Sequence, residues 1–499
     1  MNNSYSDLIE QTFDFPQDSF KVENDKLRFN EVPLMELVEK FGSPLRLTYL
    51  PEISSQIQKA KTLFKNAFEK HAYTGAYNYS YCTKANHFSF VVDEALKNDI
   101  HLETSSAFDI DLVNKLFEKG KINKDTYVIS NGYKEPDYMR KIVSFINKGY
   151  KNFVPVFDNK TEFDYYNEHV QDYCQVGIRL AADEEPNHEF YTSRLGIRYK
   201  DVVEFYKEKF LGNPKFKLVM LHFFINTGIR DNAYYWNELN KAIRMYCELK
   251  KINPDLKYLN IGGGLPIKYS LGFDYDYQYM IDEVIRHIKK NCRQAKVQEP
   301  DIFTEFGNFT VGESGIMIFK VIGQKLQNDQ EMWYMIDGSL MTTLPDIWGI
   351  NQRFILLPLN LWGKDYQRVN IGGLSCDISD YYTSEMHINQ VFLPKIENGT
   401  PLYLGFFNTG AYQDELSGFG GIKHCLIPSP KHVLLNRDEN GNLISRLFAE
   451  EQKPSDMLRI LGYAADKKEH GWEVQKTSGA ELPQETPKET PVSEPVVNL

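Results

Sequence analysis

The chain has 499 residues, 42% hydrophobic and 25% charged, which is ordinary globular composition and enough to bury a sizeable core over more than one domain. Its 57 basic and 68 acidic residues leave a net charge of −11, which argues against a broad nucleic-acid footprint and mildly favours cationic small molecules. Six scattered cysteines without a C-x-x-C pair speak against a disulfide scaffold and a cysteine-built zinc site, and point to a reducing cytoplasm.

The first residues, polar and acidic, do not read as a secretory signal, and no run of about 18 apolar residues predicts a membrane span. Residues 1–44, with Phe20–Val22 and Leu27–Phe29, are expected to complete a β domain at the other end of the chain, and Leu45–Tyr49 to lead into the first large domain. From 77 to 307, eight short β-rich runs alternate with amphipathic segments. The runs are Tyr77–Lys84, Ile100–Thr104, Thr126–Gly132, Asn152–Asn159, Gln175–Ala182, Lys217–Ile225, Tyr258–Gly264 and Asp301–Gly307. Helical spacing marks Val91–Asn98, Phe108–Lys119, Trp236–Lys250 and Tyr277–Asn291 between them. Eight strand–helix units predict a closed (β/α)8 barrel over 45–320, with an open doubly wound sheet as the alternative.

Beyond residue 320 the pattern turns to strands with few long helices, at Val321–Lys325, Trp333–Ile336, Arg353–Leu359, Arg368–Ile371, Pro401–Phe407 and His432–Asn436. This predicts a mainly β domain over 321–463. Residues 464–499 carry Pro483, Pro487, Pro491 and Pro495 in a polar stretch and are expected to be a disordered tail.

In such a barrel the chemistry lies at the carboxyl ends of the strands. Those ends carry Lys84, Glu103, Asn131, Asp158, Arg179, Phe224 with Thr227, Gly262-Gly263-Gly264, and Glu305. Lys84 closes an aromatic strand, where partial desolvation would lower its pKa and free the amine for covalent work. The glycines can cradle a phosphate with backbone amides, without the pattern of an NTPase P-loop. Glu305 at that depth could hold a heteroaromatic N–H. Downstream, Cys376 stands beside Asp377 and Asp380, Tyr412 follows a strand, and Asp346 lies in a Leu-Pro-Asp-Ile-Trp-Gly turn.

Tyr-Cys-Thr-Lys84-Ala-Asn, Gly262-Gly-Gly264, Glu305-Phe-Gly307, Cys376-Asp377-x-x-Asp380 and Gly410-Ala-Tyr412 occur in an order that resembles the pyridoxal-phosphate decarboxylases of the alanine racemase fold. Within that family the Leu344–Ile350 segment, Leu221-His-Phe-Phe and Ile229-Arg-Asp231 are most similar to the biosynthetic arginine decarboxylases. The resemblance covers roughly residues 40–460. It implies pyridoxal 5'-phosphate held covalently by Lys84, with Glu305 on the pyridine nitrogen, Glu103 near Lys84 and the ring, and Gly307 in the motif after Glu305. It puts the phosphate on Thr227, Gly263, Gly264 and Tyr412. It further implies a homodimer in which Cys376 enters from the second subunit to return a proton to Cα, and Asp377, with Asp346 and Asp380 as further candidates, meets the cationic end of the substrate. The reaction it implies is decarboxylation of arginine to agmatine for polyamine synthesis. Ornithine, lysine, diaminopimelate or carboxynorspermidine as substrate, a non-catalytic partner-binding relative, and a cofactor-free phosphate-handling barrel stay open as alternatives. Magnesium accompanies some relatives, although the sequence displays no ligand set for it. Three departures from the family pattern stand out: Phe224 replaces a ring-stacking His and leaves only His222, Thr227 replaces a Ser, and Asn308 replaces an Arg beside the phosphate.

Overall fold

The computed structural model describes residues 17, 19–182, 193–386, 389–397 and 399–463; the segment read as a tail lies outside the described residues. Eight parallel strands close into a barrel: Tyr77–Cys82, His101–Thr104, Val128–Ser130, Phe153–Phe157, Cys174–Ala181, Phe216–His222, Tyr258–Asn260 and Asp301–Phe306. Closure comes from Asp301–Phe306 pairing back onto Tyr77–Cys82, with Glu305 opposite Ser80. Each predicted run overlaps one of these strands, two of which, Cys174–Ala181 and Phe216–His222, start one residue earlier than expected, and the open-sheet alternative falls with the closure. A two-residue strand, Ile197–Arg198, adds to the outer side of Cys174–Ala181.

The barrel is filled as its pattern dictates. Ile129, Val154, Val156, Val219, Met220, Tyr258 and Phe303 pack as one small buried cluster, while the alternate positions of the strands face a much larger core under the surrounding helices. Side-chain caps start four of those helices: Ser106 accepts from the amide of Asp109, Glu135 from those of Asp137 and Tyr138, Asn232 from that of Tyr235, and Asp276 from that of Tyr279. The last of these helices, Tyr277–Ala295, buries Met280, Ile281, Val284, Ile285, Ile288 and Cys292 along one face, the apolar stripe that packs it on the barrel.

The long strand Gly315–Gln327 anchors the second sheet. Its odd and even residues serve two cores: Ile316 and Ile318 pack with Phe407 and Val433, whereas Met317 and Phe319 pack with Ile336, Leu404 and Phe406. Leu45–Tyr49 does not lead into the barrel. It lies inside this sheet, antiparallel to Gly315–Gln327 and parallel to Lys431–Arg437. Leu45 and Leu47 fill the same core as Ile316 and Ile318, so hydrophobic matching assigns the strand there. The sheet also begins at Gly315, ahead of the expected boundary, and includes Val391–Pro394 and Leu443–Ala449, which the pattern did not single out. Phe20–Glu23 and Lys26–Phe29 form a small sheet with Val32–Pro33 and pack Phe20 and Phe29 against Phe407. The amide of Leu27 donates to the carbonyl of Leu359, 2.9 Å away, tying that small sheet to the large one.

Candidate active site

The strand Tyr77–Cys82 ends in one 3-10 turn, Thr83–Ala85, which lifts Lys84 over the carboxyl end of the barrel. Two hydrogen bonds from the β domain's side clamp this turn: the Tyr412 amide donates to the Ala85 carbonyl at 2.8 Å, and Asn86 Nδ2 donates to the Gly410 carbonyl at 3.0 Å. Thr83 Oγ1 donates to the Glu103 carbonyl of the next strand. The lysine is therefore held by three elements, with its amine left facing the barrel mouth.

Lys84 Nζ donates to Glu103 Oε2 at 2.7 Å, and the lysine side chain keeps 43% exposure while Glu103 keeps 1%. Burial works to lower the lysine's pKa. The acidic groups around it, Cys82 first and then Glu103, Tyr412 and Glu305, outweigh that and hold the ammonium well above the ordinary lysine range. The expected lowering is thus reversed, because partial desolvation is only one of the competing effects. Burial, with Glu305 nearby, raises Glu103, which is the direction that suits a carboxylate taking the lysine's proton.

Glu305 is the second fixed point. His222 Nε2 stands 2.9 Å from its Oε2, and the amides of Asn131 and Asn260 donate to its Oε1 at 2.8 and 2.5 Å. Burial pushes the carboxyl up, but His222 and these donors overcome it and bring the pKa down to about 2. A fully buried carboxylate kept ionised needs a cationic or N–H partner, which is what a protonated pyridine nitrogen offers. Asn131 also donates to Glu103 Oε1 at 3.2 Å and so bridges the two carboxylates. Asn131 and Asn260 had no role from sequence. Asn131 was visible at a strand end and Asn260 lay inside the run Tyr258–Gly264, but their convergence across the barrel was not visible.

The glycine run wraps the other end. The amide of Gly262 donates to Asn260 Oδ1, and that of Glu305 to the Gly262 carbonyl. At Gly263 a Cβ would lie 2.3 Å from the Glu305 carbonyl oxygen, and Gly264 adopts φ +93°, so neither position tolerates a side chain without strain. The neighbouring Thr227 hydroxyl is buried without a hydrogen-bond partner, an orphaned donor at the place where a phosphate would sit. Phe224 packs beside Gly262, with the Arg179 guanidinium 5.7 Å from its ring centre. The Tyr412 hydroxyl lies by Gly307, and burial pushes its pKa up to about 12, so it stays a donor. A cleft of about 820 Å³ runs outward from Thr227, Gly264 and Asn308, and Arg230 also lines it. Asn308 accepts from the Tyr269 hydroxyl at 3.0 Å. Lysine, ionised carboxylate and phosphate cradle thus fit pyridoxal phosphate.

The remaining candidates lie elsewhere. Asp158 Oδ1 accepts from the amide of Gly196 and supports a neighbouring loop. Asp380, expected to reach a guanidinium, is 4% exposed and accepts from the amides of Met341 and Ser375, one on each oxygen, so it holds its own loop together. Asp346 is hydrogen-bonded through Oδ2 to Gln413 Nε2 at 2.7 Å, and burial raises its pKa. Cys376 and Asp377 are brought to Cys425 and His424 within the same chain: the sulfurs stand 3.7 Å apart, and Asp377 Oδ2 is 3.9 Å from His424 Nε2. Among the described residues this is the one grouping of three potential ligands of the Cys, His and acid type, and no three carboxylates converge as magnesium would require. Cys376 and Cys425 are 49 positions apart in the sequence and meet only in the fold, so their spacing along the chain does not display the grouping.

A barrel with a strand-end lysine paired to one carboxylate, a second carboxylate held ionised, and a glycine cradle defines a lysine-dependent enzyme of phosphorylated-aldehyde type. Residues 54–312 match the family model "Pyridoxal-dependent decarboxylase, pyridoxal binding domain", and the chain belongs to that family. Similar proteins include a biosynthetic arginine decarboxylase of Prochlorococcus marinus (strain MIT 9215), 21% identical over 87% of this chain and 86% of that one. An arginine decarboxylase of Glycine max is 24% identical over 88% and 78%. Among solved structures, the biosynthetic arginine decarboxylase of Campylobacter jejuni superposes with a TM-score of 0.76 at 22% identity, covering 90% of this chain and 89% of that one. A diaminopimelate decarboxylase of M. jannaschi gives 0.73 at 19%, covering 89% and 97%. These likenesses show the same fold. Among the described residues no helix is long and apolar enough to cross a membrane.

Proposed function

We propose that this decarboxylase removes the α-carboxylate of L-arginine, releasing CO2 and agmatine for polyamine synthesis. The observation that carries the choice of arginine is that the arginine decarboxylases it resembles match along most of their own length as well as most of this chain. Pyridoxal phosphate, when bound, supplies the electron sink for the bond between Cα and the carboxylate.

The chain's own groups do the rest. Lys84 would hold the cofactor covalently, and Glu103, 2.7 Å from its amine, is placed to take its proton. Glu305, kept ionised by His222, Asn131 and Asn260, would keep the ring nitrogen protonated. Thr227, Gly262, Gly263, Gly264 and Tyr412 would bind the phosphate, and Phe224 would offer the ring an apolar face. Cys376 of the partner subunit would return the proton to Cα, and Asp377 of the partner subunit, with Asp346 as a further candidate, would meet the guanidinium.

The second copy has a surface to use. Leu374, Ile378, Met386, Trp348, Leu416 and Leu426 are all exposed, Ile378 to 92%, on adjoining segments around Cys376. Short helices join those segments, with Leu340–Thr343 touching both Asp346–Gly349 and Gln413–Ser417. Carbon dioxide release measured with arginine, ornithine, lysine, carboxynorspermidine and diaminopimelate tests the substrate. Arginine should be preferred by at least about tenfold in kcat/KM, and a preference for diaminopimelate would overturn the assignment.

A further inference from the structure

Cys376, Cys425 and His424 bring two sulfurs and a ring nitrogen within 4.8 Å of one another, all exposed. Both thiols are free, and their sulfurs are 3.7 Å apart. Two sulfurs bound at about 2.3 Å to one tetrahedral ion stand about 3.8 Å apart, so the observed spacing accommodates such an ion without moving the sulfurs. Asp377 Oδ2 is 3.9 Å from His424 Nε2 but lies outside that grouping, which leaves the fourth position to solvent. Two sulfurs and an imidazole select a thiophilic ion over magnesium or calcium.

We propose that Cys376, Cys425 and His424 form a binding site for Zn2+ that switches the enzyme off. The regulatory half rests on the reading of Cys376 as the proton donor to the partner's site. Binding converts both thiols to metal-bound thiolates and releases two protons to solvent, one from each cysteine, with no change of oxidation state. The sulfur of Cys376 then has neither a proton to give nor freedom to approach Cα. Removing the ion lets the thiol reprotonate.

The test uses the cofactor-loaded protein. Zn2+ bound per chain is measured after equilibration, and Co2+ serves as a spectroscopic stand-in whose thiolate charge-transfer band reports sulfur ligation. Wild type should take up one ion per chain with that band. Cys425→Ser and His424→Ala should weaken binding about 100-fold and lose or shift the band. Zinc should abolish CO2 release by wild type, a chelator should restore it, and Cys425→Ser should go on turning over in zinc. Equal zinc binding by wild type and Cys425→Ser, or equal inhibition of the two, overturns the site. The band and the stoichiometry need no substrate, so metal binding without arginine turnover would sink the substrate assignment alone. Inhibition is then read on whichever amino acid releases CO2, while turnover of arginine without metal binding sinks the switch alone.

Discussion

Glu305 shows how much work a buried charge demands. Three donors from three different barrel strands converge on one carboxylate to keep it ionised against the pull of burial. Replacing Glu305 by Ala should leave Lys84 able to hold the cofactor, seen as a borohydride-trapped adduct on the peptide containing Lys84, but should cut kcat on the order of 100-fold. Trapping on another lysine would refute the role given to Lys84. At this scale the sequence was informative where a residue acts by standing at a strand end, as with Lys84, Glu103 and Glu305. It was silent where the role depends on neighbours from other elements. Asp380 looked like a free acid beside a thiol, and only the backbone amides of Met341 and Ser375 reveal its task. Lys84 likewise looked desolvated, while the groups that raise its pKa are Cys82, two residues before it, and then Glu103, Tyr412 and Glu305, which the fold brings in from other segments.

The helix Leu50–His71 carries a poorly solvated acid in its first turn. Glu52 accepts from Asn30 and Gln56, yet burial and the nearby Glu313 raise its pKa to about 7. The folded protein therefore binds this proton more tightly than the unfolded chain, whose glutamate titrates near 4.5. The resulting contribution to stability is complete below about pH 4.5 and is lost as pH rises through about 7. Glu52→Gln should accordingly stabilise the protein at pH 8, by on the order of 1 kcal/mol after solvent screening, and by less at pH 5. Denaturant melts of both proteins at the two pH values check this, and an unchanged difference would exclude Glu52 as the source. Element types were largely readable from periodicity, because each barrel strand is short, apolar and followed by an amphipathic helix. Sheet membership was harder: the apolar run Leu45–Tyr49 is equally good as a barrel strand, and only pairing with residues some 270 and 386 positions away assigns it.

For the whole molecule, the proposal that Cys376 serves the partner's Lys84 predicts a shared site. Mixing Lys84→Ala with Cys376→Ala, each inactive, should restore about a quarter of wild-type activity. Random pairing makes half the dimers mixed, and each mixed dimer has one intact site. Mixed dimers that stay inactive would place both groups in the same chain's site. Phe407→Ala should cost about 3–5 kcal/mol, since Phe20 and Phe29 of the N-terminal sheet both rest on that ring, and the loss should appear in the unfolding midpoint. The two-domain plan was legible from the change of pattern near residue 320. The proposed subunit face was not, because the exposed apolar residues assigned to it come from three separate segments.

Leu45–Tyr49 sits between Gly315–Gln327 and Lys431–Arg437, one neighbour laid down late in synthesis and the other later still. During translation more than 260 residues follow this early strand before its first mate begins at Gly315, just after the barrel's closing strand ends at Phe306, and the second mate at Lys431 comes more than 100 residues later still. Until then Leu45 and Leu47 must be shielded by a chaperone or by transient non-native packing, and a messenger truncated before codon 431 would yield a sheet with a permanently open flank.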